Sequence, residues 1–503
     1  MPSLSGMWAR ARIALTSRGA PGRRSLLRHS LICGFAGVLA VLAGASTGVG
    51  QPLPSVQEAL KKQGRHLQAP AYLTTVQYVI QFYPLWFTYY QSQIGSVNRL
   101  IGPDKISPIY KSVVAINNDT LYASTFVNVA AQPVVLTIPS TTATYSVLTL
   151  DPYGNIFDSG IPPMTPGKYG LAGPDYTGTL PPGVKPIELP LNFQMLIFRA
   201  DKYSASNADE TEAADQFRRS ITMQSLCNYL DQPCPDGEPN GRPGDATLIL
   251  PEAVFGLPFK RTADFLARRA PIAFLRQLQV AVASSNTPPL TPAEKVLSDS
   301  FNTLFQGGHP GVNGFAFRAG TRAAHQMIVD NYLSHTNQTN WINFTNIGKW
   351  GDEVLDRASI TEFIQYGNGF DTAAYFHAFE DGRGNPLNGA RRAGYVLTFP
   401  KGQIPEANRF WSVTAYTPVD IELVPNSLGK YLVASYTPGL QFNQDGSLSI
   451  YMSRSRPGGV PVANWLPVPD GPFNIMIRVY GPAGSVATGT YIPPAIQRAG
   501  RRR

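Results

Sequence analysis

Phe473-Asn474-Ile475-Met476-Ile477-Arg478-Val479-Tyr480 decides the fold class. Phe473, Ile475, Ile477 and Val479 fall on one side of an extended chain. Asn474, Met476, Arg478 and Tyr480 fall on the other. Side chains alternate across a strand with period two, so the stretch predicts a strand with one buried face. Upstream, Tyr395-Val396-Leu397-Thr398-Phe399, Phe410-Trp411-Ser412-Val413-Thr414-Ala415-Tyr416 and Ser447-Leu448-Ser449-Ile450-Tyr451-Met452 read the same way. Asn443-Gln444-Asp445-Gly446 supplies a hairpin turn just before a strand. The spacing predicts an antiparallel sandwich of jelly-roll type over 371–490.

A second β region is expected over 70–203. Val134-Val135-Leu136-Thr137-Ile138 is bracketed by Pro133 and Pro139, and Tyr145 to Leu150 runs into the turn Asp151-Pro152-Tyr153-Gly154-Asn155. Pro- and Gly-rich loops at 160–183 join the strands. A dense aromatic run before it, at 72–100, predicts a buried helix kinked or restarted at Pro84. Between the two β regions, 204–370 reads as helical with a Pro/Gly loop insertion at 231–247. Asn207 and Glu210 mark one helix start, Thr291-Pro292-Ala293-Glu294 is a capping box, and 321–332 is a third helix. The fold class is therefore α+β, mainly β: two antiparallel β-sandwich domains joined by helices.

Composition agrees. Gly and Pro number 46 and 44 of 503 residues, about 18% against roughly 12% in average usage, with no repeat. Hydrophobic residues make up 43%, enough for real cores. The formal net charge is +9. Six of the 42 basic side chains sit in 1–50 and four in 491–503, where there is no acid; the 32 that remain face 33 acidic ones. A basic face tracking nucleic-acid phosphates is not expected. The first 45 residues read instead as an export leader. A basic stretch ends at Arg28, an apolar run fills 31–42, and Ala43-Gly44-Ala45 is a small-residue cleavage site. Arg23-Arg24 with Leu26-Leu27 is similar to a twin-arginine signal, although Gly22 stands where Ser or Thr is usual; ordinary export fits as well. A periplasmic or secreted protein is expected, with no integral membrane segment after cleavage and a basic tail at 491–503 that is partly unfolded. Cys227 and Cys234, with six residues between them, could then form a disulfide.

Several motifs carry a resemblance. Asn117-Asn118-Asp119-Thr120-Leu121-Tyr122-Ala123-Ser124, Tyr145-Ser146-Val147-Leu148 leading to Asn155-Ile156-Phe157, Leu171-Ala172-Gly173-Pro174 and Leu180-Pro181-Pro182-Gly183-Val184 resemble domain-of-unknown-function family 1254. Tyr395 to Pro400, Phe410 to Tyr416, Asp445 to Tyr451 and Asn464-Trp465-Leu466-Pro467 resemble its companion family 1214. The resemblance implies two sandwich-like domains joined by helices, commonly in exported bacterial proteins, and no established reaction.

Chemical motifs are sparse. Gly44-Ala45-Ser46-Thr47-Gly48 has the nucleophile-elbow pattern but no strand-turn-helix context. The histidines beyond the leader (66, 309, 325, 335 and 377) lack metal-ligand spacing. The turn at 236–241 has acidic or amide groups at calcium-loop positions, but Thr247 stands where a bidentate Glu belongs. No metal and no cofactor is expected. The candidates are polar groups flanking strands: Asp119, Asp151 and Arg478 as catalytic groups, and Asn117, Asn118, Tyr122, Tyr153, Trp411, Tyr416 and Tyr451 as substrate-binding groups. Two carboxylates beside aromatic platforms suit work on glycans, although Asp before a strand commonly caps a turn and Tyr or Trp on a strand is commonly core. The expected function is a metal-independent hydrolase or lyase on a polar or glycan-like substrate. The alternative is a non-catalytic envelope protein binding a small polar molecule or glycan. The enzyme predicts a deep pocket with a carboxylate beside Tyr, Arg or His; the binding protein predicts a shallow aromatic surface. Assembly as a homo-oligomer is compatible with either.

Overall fold

The computed structural model describes residues 70–234, 244–306 and 313–500. The leader, the 236–241 turn, His66, His309 and residues 501–503 lie outside them.

The first sandwich has two four-stranded sheets. One runs in the order β1 (Thr120–Asn128), β7 (Phe193–Asp201), β3 (Tyr145–Leu150), β4 (Ile156–Phe157). The other runs β6 (Val184–Glu188), β5 (Gly167–Ala172), β2 (Val134–Ile138), β8 (Thr222–Ser225). Leu121, Val127, Leu196 and Phe198 from one meet Leu136, Tyr169, Leu171 and Ile187 from the other in one core. The second sandwich pairs the sheet β12 (Leu432–Ala434), β11 (Ala407–Tyr416), β15 (Asn474–Pro482), β9 (Ala373–Ala378) with the sheet β14 (Trp465–Pro467), β13 (Leu448–Ser453), β10 (Tyr395–Phe399), β16 (Gln497–Arg498). Phe376, Trp411, Val413, Ile475 and Val479 pack there against Leu397, Ile450 and Leu466. Pairing is antiparallel except for β5 with β6 and β13 with β14.

Two sequence expectations change here. The stretch after Gly489 is built into the second sandwich through residue 498. Tyr491 and Ile496 join its core, β16 pairs with Tyr395 and Val396, and Arg498 Nε donates to Asp381 at 2.6 Å. Likewise, β15 has no exposed face: Met476, Arg478 and Tyr480 are buried as completely as Ile475 and Ile477. β7 and β9 are buried along their whole lengths. The reason is a second packing layer. Part of the outer face of the β1-β7-β3-β4 sheet lies against that of the β12-β11-β15-β9 sheet, and helices cover more of both: Tyr89 stacks on Phe193 at 5.8 Å, and His377 meets Tyr332 at 2.7 Å. Tyr416 OH donates to the Ile116 carbonyl at 2.7 Å, Arg409 pairs with Asp201, and Tyr203 stacks on Tyr436 at 4.1 Å.

The helical part surrounds α1 (Pro70–Ile94), which continues through Pro84 and is buried on every side. Helix α2 (Thr211–Ser220) packs instead on the first sandwich, with Phe217 stacked on Tyr145, while α3 (Phe259–Arg269), α4 (Pro271–Ala283), α5 (Pro292–Phe305), α6 (Gly314–Ser334) and α7 (Val354–Phe363) make up the rest of the helical part. The capping box at Thr291 and Glu294 starts α5 with both hydrogen bonds made. Gly320 lets α6 lie against α1: a Cβ there would stand 2.9 Å from the Tyr72 carbonyl oxygen. A disulfide joins Cys227 to Cys234. Among the described residues no helix is long and apolar enough to cross a membrane.

The helices are tied to the second sandwich through His377. Its Nδ1 lies 2.7 Å from Tyr332 OH and its Nε2 2.8 Å from Asn474 Oδ1. A neutral ring satisfies both contacts, accepting from the tyrosine and donating to the amide oxygen. Burial pushes the imidazole down to about 3 from 6.5, against the pull of Asn474 and with Arg478 assisting. Between those two values the unfolded chain holds a proton that the folded chain does not. His377 therefore contributes stability above about pH 6.5 that is lost as pH falls towards 3, by about 1.4 kcal/mol per pH unit. Denaturant titrations at pH 6, 5 and 4 should approach that slope, and His377→Gln should flatten it.

Candidate functional site

The two outer faces carry the same motif. In the first sandwich Tyr122 of β1 is the cross-strand partner of Arg199 of β7, with the guanidinium 5.5 Å from the ring centre. In the second, Tyr375 of β9 is the partner of Arg478 of β15, 6.0 Å from that ring centre. Both pairs line one cavity of about 50 Å³ between the sandwiches. Met195, Ile197 and Ser124 extend its floor, and Tyr110, Val113 and Asn117 cover it from the loop before β1. Gly102 brings that loop down onto β1: a Cβ there would lie 1.8 Å from the Tyr122 carbonyl oxygen. One water needs roughly 10–15 Å³ of such space, so the cavity has room for several.

Its electrostatics are one-sided. Arg199 is 6% exposed and Arg478 is 2% exposed. Arg199 donates to the Tyr366 carbonyl at 2.7 Å and to Asn368 Oδ1. Arg478 donates to Tyr416 OH at 2.6 Å and to the Ala115 carbonyl. Among the described residues neither forms an ion pair, and no Asp or Glu lines the cavity. Neither Tyr416 nor Tyr375 supplies negative charge at neutral pH. Burial pushes Tyr416 up to about 12 despite the Arg478 charge beside it, and burial also raises Tyr375.

Asp119 stands behind this wall. It is fully buried and accepts from Tyr436 OH at 2.6 Å, from Ser412 Oγ at 2.9 Å and, more loosely, from Tyr480 OH at 3.5 Å. All three donors come from the second sandwich, so this carboxylate joins the two. Burial and Asp119 both hold the Tyr436 and Tyr480 hydroxyls protonated. Asn117 caps the start of β1, its Oδ1 accepting from Asp119 N at 3.0 Å and Thr120 N at 3.2 Å.

The sequence candidates divide accordingly. Asn117, Tyr122 and Arg478 line the cavity, Tyr416 accepts from Arg478, and Asp119 reaches the lining through its backbone N–H to Asn117 while its carboxylate faces away into the second sandwich. Asn118 sits beside them and accepts from Lys202 at 3.2 Å. Asp151 is elsewhere: it closes its own turn, accepting from Tyr153 N at 2.9 Å and Asn155 N at 2.8 Å. Burial raises its carboxyl, opposed by Asn155 and Arg357. Tyr153 packs under Arg357, 4.8 Å from ring centre to guanidinium. Trp411 is core, 5.8 Å from Phe399, and Tyr451 is half-buried on β13 in the far sheet. Asp119 and Asp151 therefore share no cavity, and the carboxylate pair expected from the sequence is not assembled. Arg199 and Tyr375 went unread. Their signal is present: Arg199 interrupts the apolar strand Phe193–Asp201 as Arg478 interrupts Asn474–Pro482.

A second buried cluster lies among the helices. Asp264, His325 and Glu362 bring ligand atoms within 4.8 Å of one another. Lys260 bridges the two carboxylates, 2.6 Å from Glu362 and 3.3 Å from Asp264, and Tyr83 OH donates to Glu362. Burial presses the ammonium towards neutrality, but Asp264 and Glu362 outweigh it and hold the charge. The cationic position is thus filled by a side chain, and this reads as a structural ion network.

Residues 93–225 match the family described as "Protein of unknown function (DUF1254)" and residues 372–484 match "Protein of unknown function (DUF1214)". The chain carries the two in that order, and the first supplies Tyr122 and Arg199 while the second supplies Tyr375 and Arg478. The crystal structure of the VPA0106 protein from Vibrio parahaemolyticus shares the fold at a TM-score of 0.54 and 20% identity, covering 86% of this chain and 100% of that one. A structure from Burkholderia cenocepacia, described as uncharacterized, covers 88% of this chain and 93% of its own at 13% identity and a TM-score of 0.37. No curated protein matches the sequence.

Proposed function

We propose that the protein binds a small oxyanion, a carboxylate first among them, in the cavity between its two sandwiches. One observation carries the reading: two buried guanidiniums line a cavity whose wall contains no acid. A buried, unpaired charge is costly. Asp119 offsets one of the two from behind the wall; a bound anion would offset the other. Arginine presents two parallel N–H groups that match a carboxylate. Asn117 and the hydroxyls of Tyr122 and Tyr375 add neutral polar groups.

The composition of these walls supports binding over glycoside hydrolysis. Glycoside hydrolysis uses two carboxyl groups flanking the bond, and here they stand in separate networks. The ligand class is accordingly a small anion in place of a glycan. The leader-like start and the Cys227–Cys234 disulfide support a location outside the cytoplasm. A thermal-shift panel tests the class. Acetate, formate and phosphate at millimolar concentration should include at least one anion that raises the melting temperature by several degrees, while glucose, glycerol and chloride at equal ionic strength should not. Equal shifts from chloride would remove the reading.

A further inference from the structure

A second cavity, of about 20 Å³, adjoins the first. Its lining is mostly hydrocarbon: Phe87, Leu150, Ile347, Trp350 and Ile360, with Pro84 of α1. The two cavities share Ile364, Gln365, Tyr366 and Gly367, so a four-residue wall separates them. That wall follows the end of α7 and contains Tyr366 at φ +56°, a left-handed conformation uncommon for a bulky residue. The same guanidinium that faces the polar cavity holds it in place. Arg199 donates to the Tyr366 carbonyl and to Asn368 Oδ1, and the Asn368 N–H donates to Tyr375 OH at 2.8 Å. A ligand charge arriving at Arg199 therefore competes with the wall for its anchor.

We infer that the ligand is a carboxylate bearing a short hydrocarbon group, with its head on Arg199 and Arg478 and its tail in the Phe87–Trp350 cavity. This rests on the anion-binding reading of the larger cavity and extends it to a ligand class. Binding exchanges the neutral Tyr366 carbonyl for a charged oxygen on Arg199, a stronger partner. The left-handed turn is released from its hydrogen bond, the wall shifts, and the two cavities become one slot, polar at one end and apolar at the other. The tail then removes hydrocarbon surface from water.

Calorimetric titration of the full chain with acetate, propionate, butyrate and hexanoate tests this. Each methylene placed in the apolar cavity should tighten binding about fourfold, with the gain levelling once the cavity is full. Thr361→Leu, which fills the apolar cavity from α7, should flatten the series. Acetate binding with no gain from propionate or butyrate in the wild-type chain would overturn the extension and leave the anion site standing. Failure of all four acids to bind would overturn both.

Discussion

Asp119→Ala should lower the unfolding free energy by about 3–5 kcal/mol, the cost of breaking a buried charge network by removing one member. Asp119 is fully buried and is the one carboxylate facing Ser412, Tyr436 and Tyr480. Without it those hydroxyls lose their acceptor, and Arg478 loses the negative charge nearest to it. The residue sits in the first sandwich and its donors in the second, so the loss falls on the interface. Asp119→Asn keeps an acceptor oxygen and removes the charge, so it should fall between wild type and Asp119→Ala. Urea denaturation of the three proteins checks the order. An Asp119→Ala chain as stable as wild type would mean that the outer faces do not pack as described.

Arg199→Met should behave in the opposite way. Loss of one member of a buried charge pair costs about 2–5 kcal/mol of binding, so carboxylate affinity should fall by roughly 30- to 5,000-fold. Stability without ligand should change by no more than about 1 kcal/mol. The substitution removes two hydrogen bonds to Tyr366 and Asn368 but also removes a buried charge that lacks a carboxylate partner. Arg199→Lys keeps the charge and loses the fork, and should recover only part of the affinity. Arg478 gives a weaker test: it also holds Tyr416 and the Ala115 carbonyl, so Arg478→Met should damage fold and binding together. Binding lost without a loss of fold is a signature that a purely structural arginine would not give.

Much of the fold was legible in the sequence because strand period and turn chemistry are local. Val134–Ile138, Tyr145–Leu150 and Tyr395–Phe399 form as read, and the capping box at Thr291 opens α5. What local pattern could not show is the second packing layer. Alternation at 473–480 marks Arg478 and Tyr480 as the polar, outward face, yet the other sandwich covers that face. For the same reason the sequence shows the site only in halves. Asn117, Tyr122, Tyr416 and Arg478 stand out in it, but their partners Arg199 and Tyr375 come from strands far away in sequence. Asp151 looked like a second carboxylate because an Asp before Pro, Tyr and Gly is ambiguous between a turn cap and a site. The three-dimensional contact with Asn155 resolves it as a cap. Composition also hides the ordered part of the basic tail: Arg498 follows two prolines but reaches the buried carboxylate of Asp381.

On the proposed reading, the paired Tyr–Arg faces of the two sandwiches enclose an anion site. Diffraction from crystals of the full chain, grown without small acids and then soaked in acetate, tests it most directly. Planar density for one carboxylate is expected within hydrogen-bond distance of both Arg199 and Arg478. Water alone in that cavity at saturating acetate, with both guanidiniums still on their present partners, would contradict it.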